Sequence, residues 1–192
     1  MEGKIKMPKV LTNESISQYR QEGFFSPVQI MSARETSELR DQLEAFETSQ
    51  GHPIEGFQRT KNHLLFKWID DLMRHPKLLD TVEDLIGGNI LCWNTAFWIK
   101  EANSPSYVGW HQDFEYWGLD DDRLVSVWIA LTPAGEAAGC MSVLPGSHRS
   151  PMGHRETYSP DNMLSRGQEL EVDLAAHHPV AMPLQAGQAS FH

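Results

Sequence analysis

The first third of the chain shows apolar positions at helical spacing, separated by glycine and proline. Residues 12–23 begin with the capping residues Thr12 or Asn13 and end at Gly23, which predicts a short helix. The mixed apolar stretch at 24–30 predicts a short strand directly after it.

Two further helical segments follow. Residues 32–47 predict a longer helix, because Ser32 is followed three positions later by Glu35, which is the pattern of a capping box. Residues 51–64 predict a loop, since glycine and proline interrupt any period. Residues 66–88 predict helix interrupted at Pro76.

After residue 88 the pattern changes to short runs rich in β-branched and aromatic residues, which predict strands. The predicted strands lie at 89–101, 106–117, 123–135 and 139–149, with two more within 177–192 and a polar connection at 150–170. Helices followed by several short strands indicate an α+β fold with an antiparallel barrel or sandwich. We therefore expect one domain over 1–192, helical at about 1–88 and β-rich at about 89–192.

Composition and charge narrow the class of protein. The 16 basic and 26 acidic residues give a net charge of −10, which disfavours binding to nucleic acid. No apolar run reaches membrane-spanning length, and the N-terminal residues lack the apolar core of a secretion signal. Cys92 and Cys140 have no CxxC spacing and are expected to be reduced, buried thiols. These features predict a cytoplasmic protein that does not bind a membrane.

Candidate chemistry is concentrated at residues 108–118, where His111 and Asp113 lie among aromatic side chains. If this segment is a strand, residues two apart share one face, so an imidazole and a carboxylate stand side by side. They supply two of the three donors of a 2-His-1-carboxylate facial triad, which binds Fe(II) and leaves coordination positions open. An ion pair on the protein surface is the alternative explanation for the same triplet.

Residues 110–149 resemble the phytanoyl-CoA dioxygenase family of Fe(II)- and 2-oxoglutarate-dependent oxygenases. The family pattern has a Trp-His-X-Asp segment, a tryptophan-bearing strand ending in Ala-Leu, an Asn/Ala-Gly turn and a Pro-Gly-Ser-His-Arg turn. The matching positions in this sequence are 110–113, 128–131, 138–139 and 145–149. Residues 154–169 are similar to bacterial members, and the opening helices fit as well.

The resemblance implies a double-stranded β-helix, a cupin-like jelly roll flanked by N-terminal helices. It implies a hydroxylase of a small molecule that uses Fe(II), 2-oxoglutarate and oxygen and releases succinate and carbon dioxide. Halogenating relatives have a small residue at the position of Asp113, so this carboxylate indicates hydroxylation. The bacterial character of 161–169 favours a small polar substrate over an acyl-CoA.

The resemblance also implies roles for individual residues. His111 and Asp113 are the expected catalytic metal ligands. The residues expected at the 2-oxoglutarate pocket are Trp128, Lys100 and Trp98. The residues expected to contact the substrate are Glu115, Tyr116 and Trp117. The alternatives are a core position for Trp128, a surface position for Lys100 and loop packing for the substrate set.

One departure concerns the end of the pattern. The family's third ligand is a histidine a few residues past a Phe-His pair, and a later arginine binds the far carboxylate of 2-oxoglutarate. The sequence stops at this pair, with His192, so we expect the third ligand and the arginine beyond it and the β-helix to be incomplete. A catalytically inactive cupin-like binding or scaffold protein that lacks the third ligand is the alternative function.

Overall fold

A computed structural model describes residues 7–121 and 123–192, without the side chains of Glu115, Tyr116 and Ala175. The helical elements in chain order are α1 (Asn13–Glu22), α2 (Ala33–Gln50), α3 (Lys67–Met73), α4 (Pro76–Ile86) and α5 (Phe114–Trp117). The strands are β1 (Phe25–Gln29), β2 (Val127–Ile129), β3 (Ser142–Val143), β4 (His154–Glu156), β5 (Gln168–Leu170), β6 (Val180–Ala181) and β7 (Gln188–Phe191). No helix of the described ranges is long and apolar enough to cross a membrane.

The predicted helix boundaries are confirmed where a capping residue specifies them. The Thr12 side chain accepts a hydrogen bond from the Ser15 amide, and Gly23 ends α1 in the left-handed region at φ 83°. Ser32 and Glu35 form the predicted capping box at the start of α2. Each cap satisfies backbone groups that have no partner inside the helix.

The strands of the described residues form three small antiparallel sheets. β7 lies between β1 and β2 in the largest, β3 pairs with β6, and β4 pairs with β5. The β4–β5 hairpin lies inside residues 150–170, where the sequence predicted only a polar connection. The structure thus has an α+β composition of helices and several small antiparallel sheets.

Two predicted strands are wrong. Residues 89–101 have a single bridge, between Thr60 and Ala96, and otherwise form no ladder in the part of the chain that is described. Residues 106–117 form a loop that ends in the short helix α5 rather than an extended strand. β-branched and aromatic residues form strands only when a neighbouring strand continues the pairing. In the described residues each of these segments has one isolated bridge, Thr60–Ala96 for the first and Tyr107–Asn162 for the second, and neither bridge extends into a ladder.

The main core lies between the largest sheet and the N-terminal helices. Ala189 and Phe191 of β7 are fully buried there, against residues of α1 and α4 such as Ile16 and Val82. A second apolar cluster forms under α2 and α3, and Phe97 packs into it. The cysteines are free, but Cys92 is exposed rather than buried as predicted, and Cys140 is partly buried.

Candidate metal centre

One face of the largest sheet packs on the core, and the opposite face carries polar side chains. The core-facing residues of β2 include Val127 and Ile129, so the alternate positions Ser126 and Trp128 face the other way. Ser126 exchanges two backbone hydrogen bonds with His192, at 2.7 and 3.0 Å, and therefore shares its face. Trp128 stands opposite Ser190 in the same register.

His111 and Asp113 meet on this polar side of the sheet. The Nε2 atom of His111 lies 3.0 Å from Oδ1 of Asp113, and the two side chains are 22% and 26% exposed. Asp113 has helical backbone angles and precedes α5, so the contact comes from a tight loop and not from a strand face. The predicted neighbourhood of the two side chains is confirmed, although the strand from which it was inferred is wrong.

Each of the two side chains is held by a second group. The Nδ1 atom of His111 lies 2.8 Å from the carbonyl oxygen of Gly109. The hydroxyl of Ser126 donates a hydrogen bond to Oδ2 of Asp113. A carbonyl on the outer nitrogen of a histidine is a common arrangement around metal-bound imidazoles, because it orients the ring and leaves the other nitrogen for the metal.

His192 is the third ionisable side chain here, and sequence reasoning had set it aside. Its Nε2 atom lies 3.7 Å from Oδ2 of Asp113. Its Nδ1 atom is buried and has no hydrogen-bond partner among the described residues. The alternation of β7 was the available signal, because a buried Phe191 facing the core directs His192 to the opposite face.

Burial and charge act against each other at these three groups. Burial opposes ionisation of Asp113, but the His111 hydrogen bond, the nearby His192 and the Ser126 hydroxyl outweigh it and lower the pKa of Asp113 to about 2. Burial also opposes charge on His111, yet its contacts with Asp113 and Gly109 raise the pKa of His111. Burial dominates at His192 and lowers its pKa, despite the attraction of Asp113.

The donor set fits a divalent metal at two positions. Two neighbouring ligands at about 2.1 Å in an octahedral site are about 3 Å apart, and the His111–Asp113 separation is 3.0 Å. Both nitrogens of His111 face oxygen atoms that can only accept, so a cation between Nε2 and the carboxylate satisfies all of them. Within residues 7–121 and 123–192, however, no group of three or more His, Cys, Asp or Glu side chains is arranged to hold a metal ion.

The other predicted site residues lie in different environments. Trp128 is partly buried on the same face of the sheet as Ser126. The Nζ atom of Lys100 donates to the carbonyl of Gly139, 2.8 Å away, and Trp98 is 43% exposed. Trp117 is partly buried in α5, directly after the loop.

The remaining two predicted substrate contacts, Glu115 and Tyr116, belong to the backbone of α5. Their side chains lie outside the described part of the chain, so their roles stay predictions.

Comparison with known proteins places this arrangement in a family. A probable alpha-ketoglutarate-dependent hypophosphite dioxygenase of Stutzerimonas stutzeri is 34% identical over 105 residues, which are 54% of this chain and 36% of the relative. An ectoine dioxygenase of Streptomyces avermitilis is 26% identical over 170 residues, covering 81% of this chain and 58% of the relative. The solved structure of the non-heme monooxygenase ThoJ in its apo form matches with a TM-score of 0.73 and 33% identity, over 92% of this chain and 66% of that one.

The curated relatives are longer than the region they share with this chain, which spans 36% of one and 58% of the other. The profile of the phytanoyl-CoA dioxygenase (PhyH) family matches residues 19–192, which include the sheet, the His111 loop and His192. The chain therefore belongs to the phytanoyl-CoA dioxygenase family.

Proposed function

We propose that this chain belongs to an Fe(II)- and 2-oxoglutarate-dependent dioxygenase that hydroxylates a small molecule, and that it supplies two of the metal ligands. The observation that carries the proposal is the 3.0 Å contact between Nε2 of His111 and Oδ1 of Asp113, with Nδ1 of His111 held by a carbonyl. A solvated surface pair is the weaker explanation, because both side chains are largely buried on the polar face of the sheet. Family membership supplies the reaction class that such a pair serves.

The chain's own groups orient the two ligands and limit the access of water. The Gly109 carbonyl fixes the ring of His111, and the Ser126 hydroxyl fixes the carboxylate of Asp113. Trp128 lies on the same face of the sheet, and we propose that it forms an apolar wall beside the site, where 2-oxoglutarate is expected. Bound Fe(II) would supply the redox chemistry that couples conversion of 2-oxoglutarate to succinate and carbon dioxide with hydroxylation of a C–H bond.

The proposal includes a jelly-roll fold and a third histidine ligand. The small antiparallel sheets and the likeness to ThoJ support a cupin-like arrangement. Nε2 of His192 lies 3.7 Å from Oδ2 of Asp113, the oxygen that the Ser126 hydroxyl also contacts, whereas Nε2 of His111 lies 3.0 Å from Oδ1. We therefore assign His192 as a neighbour of the metal and the third ligand to a histidine later in the polypeptide.

The substrate is proposed to be small and polar. The similar proteins are named as dioxygenases of hypophosphite and of ectoine, which are both small and polar. The side chains that begin α5 follow the ligand loop directly, so this short helix is the expected place of substrate contact.

A second candidate function is a cupin-like binding protein without catalysis. The observation in its favour is that the described side chains form no group of three metal donors. In that case the His111–Asp113 pair would be a buried ion pair that stabilises the loop.

Metal titration separates the two functions. Anaerobic Fe(II) binding by the unchanged chain, with a steep loss in both His111→Ala and Asp113→Ala, is the expected result. His178→Ala, which removes an exposed histidine, is the matched control. Iron content that is unchanged in both ligand variants contradicts the metal site, and succinate release across a panel of small polar metabolites tests the reaction itself.

A further inference from the structure

Gln112, the residue between the two proposed ligands, makes three side-chain hydrogen bonds to backbone groups of a distant segment. Its Nε2 atom donates to two carbonyl oxygens, that of Ser147 at 2.9 Å and that of Ser150 at 3.0 Å. Its Oε1 atom accepts from the amide of Met152 at 2.8 Å. All three contacts go to one segment, residues 147–152, which is distant from the loop in sequence.

The backbone of Gln112 is held by the same region. Its amide donates to Nε2 of His154 at 3.0 Å. Since a backbone amide can only donate, this nitrogen of His154 is the acceptor, and its Nδ1 carries the hydrogen towards the Met152 carbonyl, 2.9 Å away. The loop between His111 and Asp113 is thus fixed through both the side chain and the main chain of its middle residue.

The segment that receives Gln112 is itself anchored to α1. The Gly146 amide donates to the carbonyl of Glu22 at 2.8 Å, and the Arg149 guanidinium donates to that of Gln21 at 2.7 Å. His148 packs so closely against Gly23 that a Cβ atom there would lie 2.3 Å from its ring. Contacts therefore run without a break from the end of a capped helix to the loop that carries the proposed ligands.

We propose that Gln112 is a positioning residue of the metal centre, which locks the loop against residues 147–154 so that the metal-binding atoms of His111 and Asp113 stay in place. This inference rests on the proposed function, because it concerns the same two ligands. The primary amide is the required group, since it offers two N–H donors for two carbonyls and one acceptor for one amide. A carboxylate of the same length keeps the acceptor but turns repulsive towards both carbonyls.

The test uses two substitutions of nearly equal length, Gln112→Glu and Gln112→Met, and measures Ni²⁺ affinity by calorimetry together with the thermal unfolding of the metal-free chain. Gln42→Met, at an exposed position of α2, is the control. Partners of metal ligands contribute about 10- to 100-fold to metal affinity. We expect a loss in that range for both Gln112 variants while the chain is still folded, and no loss for the control.

The outcomes are distinguishable. If the unchanged chain binds Ni²⁺ and both folded Gln112 variants bind it within about threefold as well, Gln112 only supports the fold and the inference is wrong. If both variants fail to fold, the residue is structural and the inference is again overturned. If the unchanged chain itself binds no Ni²⁺ at millimolar concentration, the failure lies in the proposed metal site, and the role of Gln112 fails with it.

Discussion

Replacing His192 with alanine is expected to weaken metal binding at the His111–Asp113 pair without abolishing it. The Nε2 atom of His192 lies 3.7 Å from Oδ2 of Asp113, which is the oxygen that accepts a hydrogen bond from the Ser126 hydroxyl. The oxygen proposed to face the metal is Oδ1, which lies 3.0 Å from Nε2 of His111, so His192 stands beside the other oxygen of the carboxylate. We therefore expect His192 to act on a bound metal through the position and charge of Asp113.

The expected magnitude follows from this geometry. Groups that orient a ligand contribute about 10- to 100-fold to metal affinity, which is about 1.4 to 2.7 kcal/mol. A direct ligand contributes more, because its loss removes a metal–ligand bond as well as an orienting contact. We expect His192→Ala to lower the metal affinity by about 10- to 100-fold, and His111→Ala to lower it by more.

Calorimetric titration with Ni²⁺ or Co²⁺ at constant pH measures the difference, and His178→Ala serves as the control for removal of an exposed imidazole. The backbone of His192 pairs with Ser126, so circular dichroism of each variant first verifies that β7 is still formed. A loss above about 100-fold, equal to that of His111→Ala, would refute the reasoning and make His192 the third ligand. A loss of metal affinity below about threefold would also refute the reasoning, because it would show that His192 does not influence the site.

Three further predictions concern the cosubstrate and the fold. Trp128→Ala is expected to raise the 2-oxoglutarate concentration needed for half-maximal succinate release by more than the Fe(II) concentration; an equal rise in both, with a lower melting temperature, would indicate core damage alone. Burial raises the pKa of Tyr19 to about 12, so its contribution of about 3 kcal/mol is complete below pH 10 and is lost as the pH rises through 12; in urea titrations Tyr19→Phe should flatten this decline, and an unchanged decline would contradict the role of Tyr19. Ser32→Ala removes the capping box of α2 and should lower the free energy of unfolding by about 1 kcal/mol; an unchanged denaturation midpoint would contradict the assigned cap.

Local signals in the sequence predicted what depends on local contacts. The starts of two helices were predictable from the caps at Thr12 and Ser32, because each cap is a hydrogen bond between a side chain and the backbone amide three residues later. The contact between His111 and Asp113 was predictable for a similar reason, since residues two positions apart can meet in a loop as well as on a strand.

The failures concern contacts between distant parts of the chain. Residues 89–101 have strand-forming composition, but strand formation requires a partner, and among the residues that the structure describes only Ala96 of this segment is bridged to another one. The contacts of Gln112 could not be predicted from the sequence, because its partners lie 35 to 42 positions away along the chain. His192 was judged by its place in a family pattern, whereas its proximity to Asp113 follows from the pairing of β7 with β2.

The central position of β7 has a consequence for the order in which the molecule assembles. This strand joins β1, paired through Phe25 and Phe191, to β2, paired through Val127 and the same phenylalanine. The pairing of β1 with β7 closes a loop that runs from Phe25 to Phe191. Closing so long a loop is slow and costs chain entropy, so this pairing occurs late in folding. During synthesis the N-terminal helices therefore emerge without the strand that covers their apolar face. The surface beside His111 is completed only after β7 has emerged from the ribosome and paired with β2.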